Sequence, residues 1–240
     1  VSFKAQLLKE FYSGIDLSRA KFETRTHGFD FMAGLPGKLD YGELKSGIFK
    51  YRLSGLGPED FEALLEEHVA KRVNLCAYFG EEKNRLFAFN LDGEGGAGVK
   101  AAALYTADAL ARLGLFPLAV KSGHGYHLLC RLESPAENAR LSALMDAVKK
   151  SVAQRLEAKG ADAGELSCTC YPRARAGDIS LRLFGSVHAR TGEFSSVVRG
   201  IAAEDDLLSE EASWKCFEGF MRGCASDAAC FERALSAAGV

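Results

Sequence analysis

Between residues 73 and 198, short apolar runs alternate with two long helical stripes, and this order restricts the fold more than any other feature of the chain. The runs 73–79 and 85–91 come first, joined by a short polar link that predicts an antiparallel hairpin. A stripe over 99–113 follows and stops at Gly114, a residue suited to a left-handed helix cap. Extended runs over 117–120 and 126–132 come next. Ser134 and Glu137 then have capping-box spacing with Pro135 between them, which predicts a helix start. Leu141, Leu144, Met145, Val148, Val152 and Leu156 carry that helix's apolar stripe to a stop at Gly160. Runs over 179–183 and 194–198 complete the order. Strands broken by two helices in this way predict an α+β, or mixed α/β, fold: a central, mostly antiparallel sheet with helices packed on it.

The flanks are simpler. Phe3, Leu7, Leu8 and Phe11 share one face of a short first helix. Residues 28–42, rich in Gly and aromatics, read as loop, and 48–53 as a strand. Pro58 opens a helix with Phe61, Leu64, Leu65, His68 and Val69 on one side. From Leu207 the tail is helical in character, with Trp214, Phe217, Phe220 and Met221. The expected organisation is an N-terminal lobe over 1–72, a core over 73–200 and a helical tail over 201–240. A chain of 240 residues is long enough for one large domain or two small lobes. Its 48% hydrophobic and 26% charged residues are those of a soluble globular protein. No apolar run is long enough to cross a membrane, and Val1-Ser2-Phe3-Lys4, which lacks a basic-then-apolar-then-small pattern, leads us to expect no signal peptide. A net charge of -2 argues against a purely electrostatic nucleic-acid binder but leaves room for a local basic strip. Seven Cys, an odd number without secretory context, point to free thiols in a reducing cytoplasm, with a metal site as the rival.

Three stretches carry chemistry. Leu86-Phe87-Ala88-Phe89-Asn90-Leu91-Asp92-Gly93-Glu94 is a buried strand ending in polar groups. Alternation puts Asn90, Asp92 and Glu94 on one side, where oxygen ligands two apart can hold a hard divalent cation. The plainer reading is a strand entering an Asp-Gly turn. Lys121-Ser122-Gly123-His124-Gly125-Tyr126-His127 sits between two extended runs. Gly123 and Gly125 allow close backbone approach to an anion, Ser122 offers a hydroxyl, and His127 heads the next strand. The alternative is a tight hairpin with an incidental His. Finally, Arg182 interrupts the apolar strand Ile179-Ser180-Leu181-Arg182-Leu183 and needs an acid or a bound anion as partner.

In this order the three elements resemble the motifs of the archaeo-eukaryotic primase superfamily, especially its plasmid, phage and defence-associated primase-polymerases. The resemblance covers about 75–199. It implies a primase-polymerase fold with an RRM-like sheet, and template-dependent nucleotidyl transfer from nucleoside triphosphates onto DNA or RNA. Asp92 matches the second metal acid of the first motif, with Asn90 at the place of the first and Glu94 as the group that would compensate for its missing charge. Ser122, Gly123, Gly125 and His127 match the nucleotide-binding second motif, so His127 is expected to face the site and His124 the solvent. Asp162, after the long helix, is the choice for the third acid, with Asp178 as the alternative and Glu165 behind it. Arg182 matches the phosphate-binding Arg, and Arg190 stands where a Lys is common. Phe184 and His188 depart from the pattern, which has Pro and Asn there. The resemblance further implies magnesium or manganese held by Asp92, Asp162 and Asn90, a template or primer strand, and helicase, replication or defence-system proteins as partners. Arg173 and Arg175 form a basic loop that either tracks template phosphates or is simply solvated. Cys168 and Cys170 with two of the tail thiols at 216, 224 and 230 would make a structural zinc site, the alternative being ordinary thiols. Cys76 and Cys130, on apolar strands, belong to the core. With Asn90 in place of an acid, a catalytically weakened module that binds nucleotide or nucleic acid is the competing function.

Overall fold

The computed structural model describes residues 1–25, 38–45, 47–93, 96–160, 166–174, 180–201, 205–223 and 225–240. The chain folds into two compact units. The first is built from Val1–Gly80 and Gly177–Ser195, the second from Glu81–Ala176 and Ser196–Val240. The expected α+β class with antiparallel sheets is present, its strands divided between two sheets.

In the first unit, helix α1 (Phe3–Phe11) starts where the Ser2 hydroxyl accepts from the Ala5 amide. Strands β1 (Ile15–Thr24), β2 (Lys38–Lys45), β3 (Ile48–Ser54), β4 (Asn74–Phe79) and β9 (Ser180–Arg182) form one sheet in the order β2-β3-β1-β4-β9. Helix α2 (Pro58–Val69) begins with Pro at its first turn, and Asp60 accepts the Gly57 amide at 2.7 Å. Phe22, Tyr51, Leu53, Leu64, Leu65 and Leu75 are buried. His68 is buried among them. Its Nδ1 accepts from the Leu75 amide at 3.1 Å, so Nε2 carries the proton and donates to the Phe184 carbonyl at 2.9 Å. Burial holds the imidazole below its ordinary pKa, in the neutral form this bonding needs.

The second unit contains β5 (Lys83–Asp92), α3 (Gly96–Arg112), β6 (Leu118–Ser122), β7 (Gly125–Glu137), α4 (Asn138–Ala158) and β8 (Ser167–Tyr171). That is a β-α-β-β-α-β sequence with sheet order β6-β7-β5-β8, the split arrangement of RRM-like sheets. Helices α5 (Glu210–Gly223) and α6 (Ala228–Ala238) follow in the tail. Phe87, Phe89 and Leu91 of β5, with Tyr126, Leu128 and Cys130 of β7, form the core face of this sheet. They pack with Ala102, Ala103 and Leu110 of α3, the expected apolar stripe of α4, and Phe231 and Leu235 of α6. Gly114 (φ 77°) and Gly160 (φ 65°) end α3 and α4 in the left-handed region, as their positions predict. No helix among the described residues is long and apolar enough to cross a membrane.

Four local expectations are corrected. The 73–79 and 85–91 strands do not pair as a hairpin, because β4 belongs to the five-stranded sheet and β5 to the four-stranded one. Ser134 and Glu137 do not form a capping box. Instead β7 runs on to Glu137, where Lys83 stands opposite Glu137 and Asn84 opposite Ala136. The buried Asn138 side chain accepts from Asn84 at 2.6 Å and donates to the Glu81 carbonyl at 3.0 Å, so tertiary bonding overrides the local cap. The 28–42 stretch is not all loop: β2 starts at Lys38 and pairs with β3, while 28–37 lies outside the described residues. The run 194–198 is no single strand. Phe194 bridges Val187 in the first unit, and Val197 bridges Val120 in the second.

Candidate nucleotide and metal site

The centre of the second unit's sheet is β5, flanked by β7 and β8. Its alternation turns Phe87, Phe89 and Leu91 into the core and sends Ala88, Asn90 and Asp92 to the other face. Register then decides what stands beside the two polar groups. His127 lies opposite Asn90 on β7, and Thr169 opposite Asn90 on β8. Ser167 lies opposite Asp92, and Ser122 pairs with Gly125. Directly opposed residues share a face, so Asn90, Asp92, Ser122, Gly125, His127, Ser167 and Thr169 form one polar field.

Within the field, the Asn90 amide donates to the Asp92 carboxylate at 2.7 Å. This fixes the amide's orientation, because a carboxylate only accepts. It also leaves Asn90 Oδ1 buried without a hydrogen-bond partner. A buried oxygen in that state costs about 1–3 kcal/mol, which a cation or donor arriving at the site would recover. Asp92 itself is exposed. Oxygen ligands of this kind, one anionic and one neutral, suit a hard divalent cation. Asp162, Asp178, Glu165 and Glu94, the other acids singled out from the sequence, lie outside the described residues.

The Ser122–Gly125 turn is tight. Gly123 has φ 67° and His124 does not share the positive sign, the pattern of a II′ hairpin. His124 is exposed at its tip, whereas Ser122 and His127 are buried. Gly125 is fixed by close approach rather than by φ. A Cβ there would lie 2.2 Å from the Leu91 carbonyl oxygen and 2.3 Å from Asp92 Oδ1. The glycine thus lets the hairpin backbone lie directly against the acid.

The reverse face anchors the hairpin in a way the sequence did not announce. The Tyr126 hydroxyl donates to Asp205 Oδ2 at 2.6 Å. Lys100 Nζ stands 3.2 Å from Asp205 Oδ1, and Lys121 Nζ lies 3.9 Å from Oδ2 and 4.1 Å from the Tyr126 ring centre. Burial, then the Asp205 bond and charge, push the Tyr126 phenol well above its ordinary pKa. A hydrogen bond to a charged group contributes about 1.5–3 kcal/mol, enough to hold β7 and with it His127 in register. Asp205 lies 79 residues away in the chain, and no motif in the sequence pointed to it.

In the first unit, Arg182 stands at the end of β9 opposite Cys76. The acid its sequence position calls for is Glu23, at 3.5 Å from Nη2, while Arg182 Nε is buried without a partner. Arg190 occupies an exposed turn, and His188 Nδ1 bonds the Thr191 hydroxyl at 3.1 Å. Phe184 donates its amide to the Tyr12 hydroxyl at 3.0 Å and gives its carbonyl to His68, a structural use of the place where the motif has Pro. Cys168 and Cys170 sit on β8, Cys216 on α5 and Cys230 on α6. Among the described residues no three His, Cys, Asp or Glu side chains gather to hold a metal.

No family model and no curated relative matches the chain. Among solved structures, the AEP domain of the cyanophage S-2L primase-polymerase aligns at 14% identity and TM-score 0.38, over 88% of this chain and 95% of that one. The polymerase domain of Mycobacterium tuberculosis Ligase D, in complex with DNA, aligns at TM-score 0.51 and 19% identity, over 92% of this chain and 88% of that one. The chain shares the fold of that polymerase domain. Its RRM-like sheet carries the polar field on β5, β6, β7 and β8, and Arg182 lies on the five-stranded sheet of the other unit.

Proposed function

We propose that the protein is a template-dependent nucleotidyltransferase, a DNA or RNA primase-polymerase that joins nucleoside triphosphates to a growing strand. The observation that carries this reading is the Asn90–Asp92 pair, with an orphaned buried oxygen, set opposite His127 and pressed against Gly125. On this reading Asp92, Asp162 and one of Asn90, through its Oδ1, or Glu94 would hold a magnesium or manganese ion. When bound, such an ion lowers the pKa of the strand's 3′-hydroxyl and neutralises charge on the departing pyrophosphate. The side chains position and grip. His127 and Ser122 donate to phosphate oxygens, and the Gly123 and Gly125 backbone comes close enough to an anion to do the same. The 3′-oxygen bonds to the α-phosphorus as the bond to the pyrophosphate oxygen breaks, and the hydroxyl proton passes to solvent. Arg182 and Arg190 are assigned phosphate contacts, since a guanidinium pairs with phosphate oxygens in bidentate fashion.

Asn90 supports a second reading, a module that binds nucleotide but transfers it slowly, because the first oxygen ligand brings no charge. Titration of a labelled triphosphate in manganese tests the site common to both. Binding should weaken in His127→Ala and persist in His124→Ala. The opposite pattern in folded proteins would refute the assignment.

A further inference from the structure

The five-stranded sheet has a charged face that the nucleotide site does not use up. Lys21 on β1 stands opposite Arg52 on β3 and Cys76 on β4, and Cys76 stands opposite Arg182 on β9. Arg52, Lys21 and Arg182 therefore lie in one row across four strands. In the next row along, Glu23 stands between Lys50 and Asn74. The reverse face carries the buried Phe22, Tyr51, Leu53 and Leu75. Strand β2 adds Glu43 opposite Lys50 and Lys45 opposite Ile48, one charge of each sign. Among the described residues, Lys21, Lys45, Lys50, Arg52 and Arg182 thus outnumber Glu23 and Glu43 on this face, in a chain whose total charge is -2; of its other charges, Arg19 pairs with Asp16, which stands opposite Tyr78, and Lys38 stands opposite Ser54, whose hydroxyl donates to Asp40. Glu23 is shared between Lys50 at 3.9 Å and Arg182 at 3.5 Å, and Arg182 Nε is buried without a partner. Lys21, Lys50, Arg52 and Arg182 are all half-buried, where bulk water screens charge less than at an open surface.

We propose that this face binds the phosphate backbone of a nucleic-acid strand. The row runs on from Arg182, which the nucleotide site takes, so spacing assigns Lys21 and Arg52 to a strand that reaches beyond a lone triphosphate. Three strand steps of ~4.8 Å separate Arg52 from Arg182, so the row spans ~14 Å. A stacked strand places one phosphate every ~3.4 Å of its axis, so the row matches about four nucleotides. A triphosphate offers its charge over a much shorter length. The row also carries no base-reading pattern, so binding on it follows charge and not sequence. The inference rests on the reading that the protein works on nucleic acid, and it adds Lys21, Lys50 and Arg52 to the residues involved.

The test is fluorescence anisotropy of a labelled single-stranded oligonucleotide over a series of salt concentrations. It uses wild type, Lys21→Gln, Arg52→Gln and the double variant, with folding checked by circular dichroism. Each neutralisation should weaken binding of every sequence alike and reduce the magnitude of the log K against log[salt] slope by about 0.7, so by about 1.4 in the double variant. Triphosphate affinity should stay at the wild-type value in both single variants. Lys21→Arg, which keeps the charge, should keep the wild-type slope and serves where a Gln variant does not fold. A folded double variant with wild-type affinity and slope would overturn the inference, as would loss of slope in Lys21→Arg. A wild-type protein that binds no oligonucleotide at any salt would overturn the functional reading as well, whereas strand extension unaffected by folded Gln variants would overturn only this face.

Discussion

Replacing Gly125 by Ala tests whether the hairpin is fitted to the acid. The new Cβ would sit 2.2 Å from the Leu91 carbonyl oxygen and 2.3 Å from Asp92 Oδ1. The nearer obstacle is backbone of the central strand, which cannot rotate away like a side chain. Ordinary van der Waals contact starts at 3.4 Å, so β5 and β7 must separate by about 1 Å at this point. Overpacking of this kind costs about 1–3 kcal/mol. At about 2–4 °C per kcal/mol for a chain of this length, the melting temperature should fall by roughly 2–12 °C. The same shift moves Asp92 relative to Asn90 and His127, and a misplacement of about 1 Å can reduce a positioned reaction by about 100-fold. Gly160→Ala is the control. Its φ of 65° makes it strained too, but nothing lies within 4 Å of the added Cβ and it sits at the end of α4. It should lower the melting temperature and leave triphosphate binding and strand extension intact. Thermal unfolding by circular dichroism, with a manganese-dependent triphosphate titration, reads both effects. A Gly125→Ala protein with wild-type melting temperature and wild-type triphosphate affinity would refute the reasoning.

Asn90→Asp places a second carboxylate beside Asp92, so the metal-free protein should melt lower and manganese should raise its melting temperature by more than it raises wild type's; equal manganese shifts would count against a metal at this pair. His68 is neutral in the folded protein with its pKa lowered by burial, so only the unfolded state takes up its proton just below the ordinary value near 6.5. Its contribution is therefore full above that pH and is lost as pH falls. The stability of wild type should drop more steeply from pH 7 to pH 5 than that of His68→Gln, and parallel curves would show that His68 is not held neutral. Tyr126→Phe removes the bond to Asp205 and should lower the melting temperature by about 3–12 °C, with no fall if the Lys100 and Lys121 pairs suffice. Arg182→Ala should weaken triphosphate binding and Arg182→Lys recover part of it; unchanged binding in a folded Ala variant would leave Arg182 only its ion pair with Glu23.

What could be read from the sequence was local. The strand ending at Asp92, the glycines that turn the Ser122–Gly125 hairpin and the stripe of α4 each depend on neighbours within a few residues. The α+β class followed from their order. What escaped the sequence depends on distant partners. Nothing in the link 80–84 says that β4 and β5 enter different sheets. The capping-box spacing of Ser134 and Glu137 is genuine, yet the Asn84–Asn138 bond and the pairing of Glu137 with Lys83 draw those residues into β7. Strand β2 shows little alternation and exposes Leu39 and Leu44, so its pairing with β3 could not be told from a loop. Asp205 joins Tyr126 across 79 residues, and Lys21 meets Arg52 and Arg182 only through sheet register.

The central claim is that Asp92 belongs to a nucleotidyl-transfer site. The most direct measurement is extension of a templated primer by wild type and Asp92→Ala in magnesium and in manganese, with both proteins shown to be folded by their melting temperatures. The account predicts template-dependent product from wild type and none above background from Asp92→Ala. Undiminished extension by Asp92→Ala, or no extension by either wild type or Asn90→Asp, would contradict it.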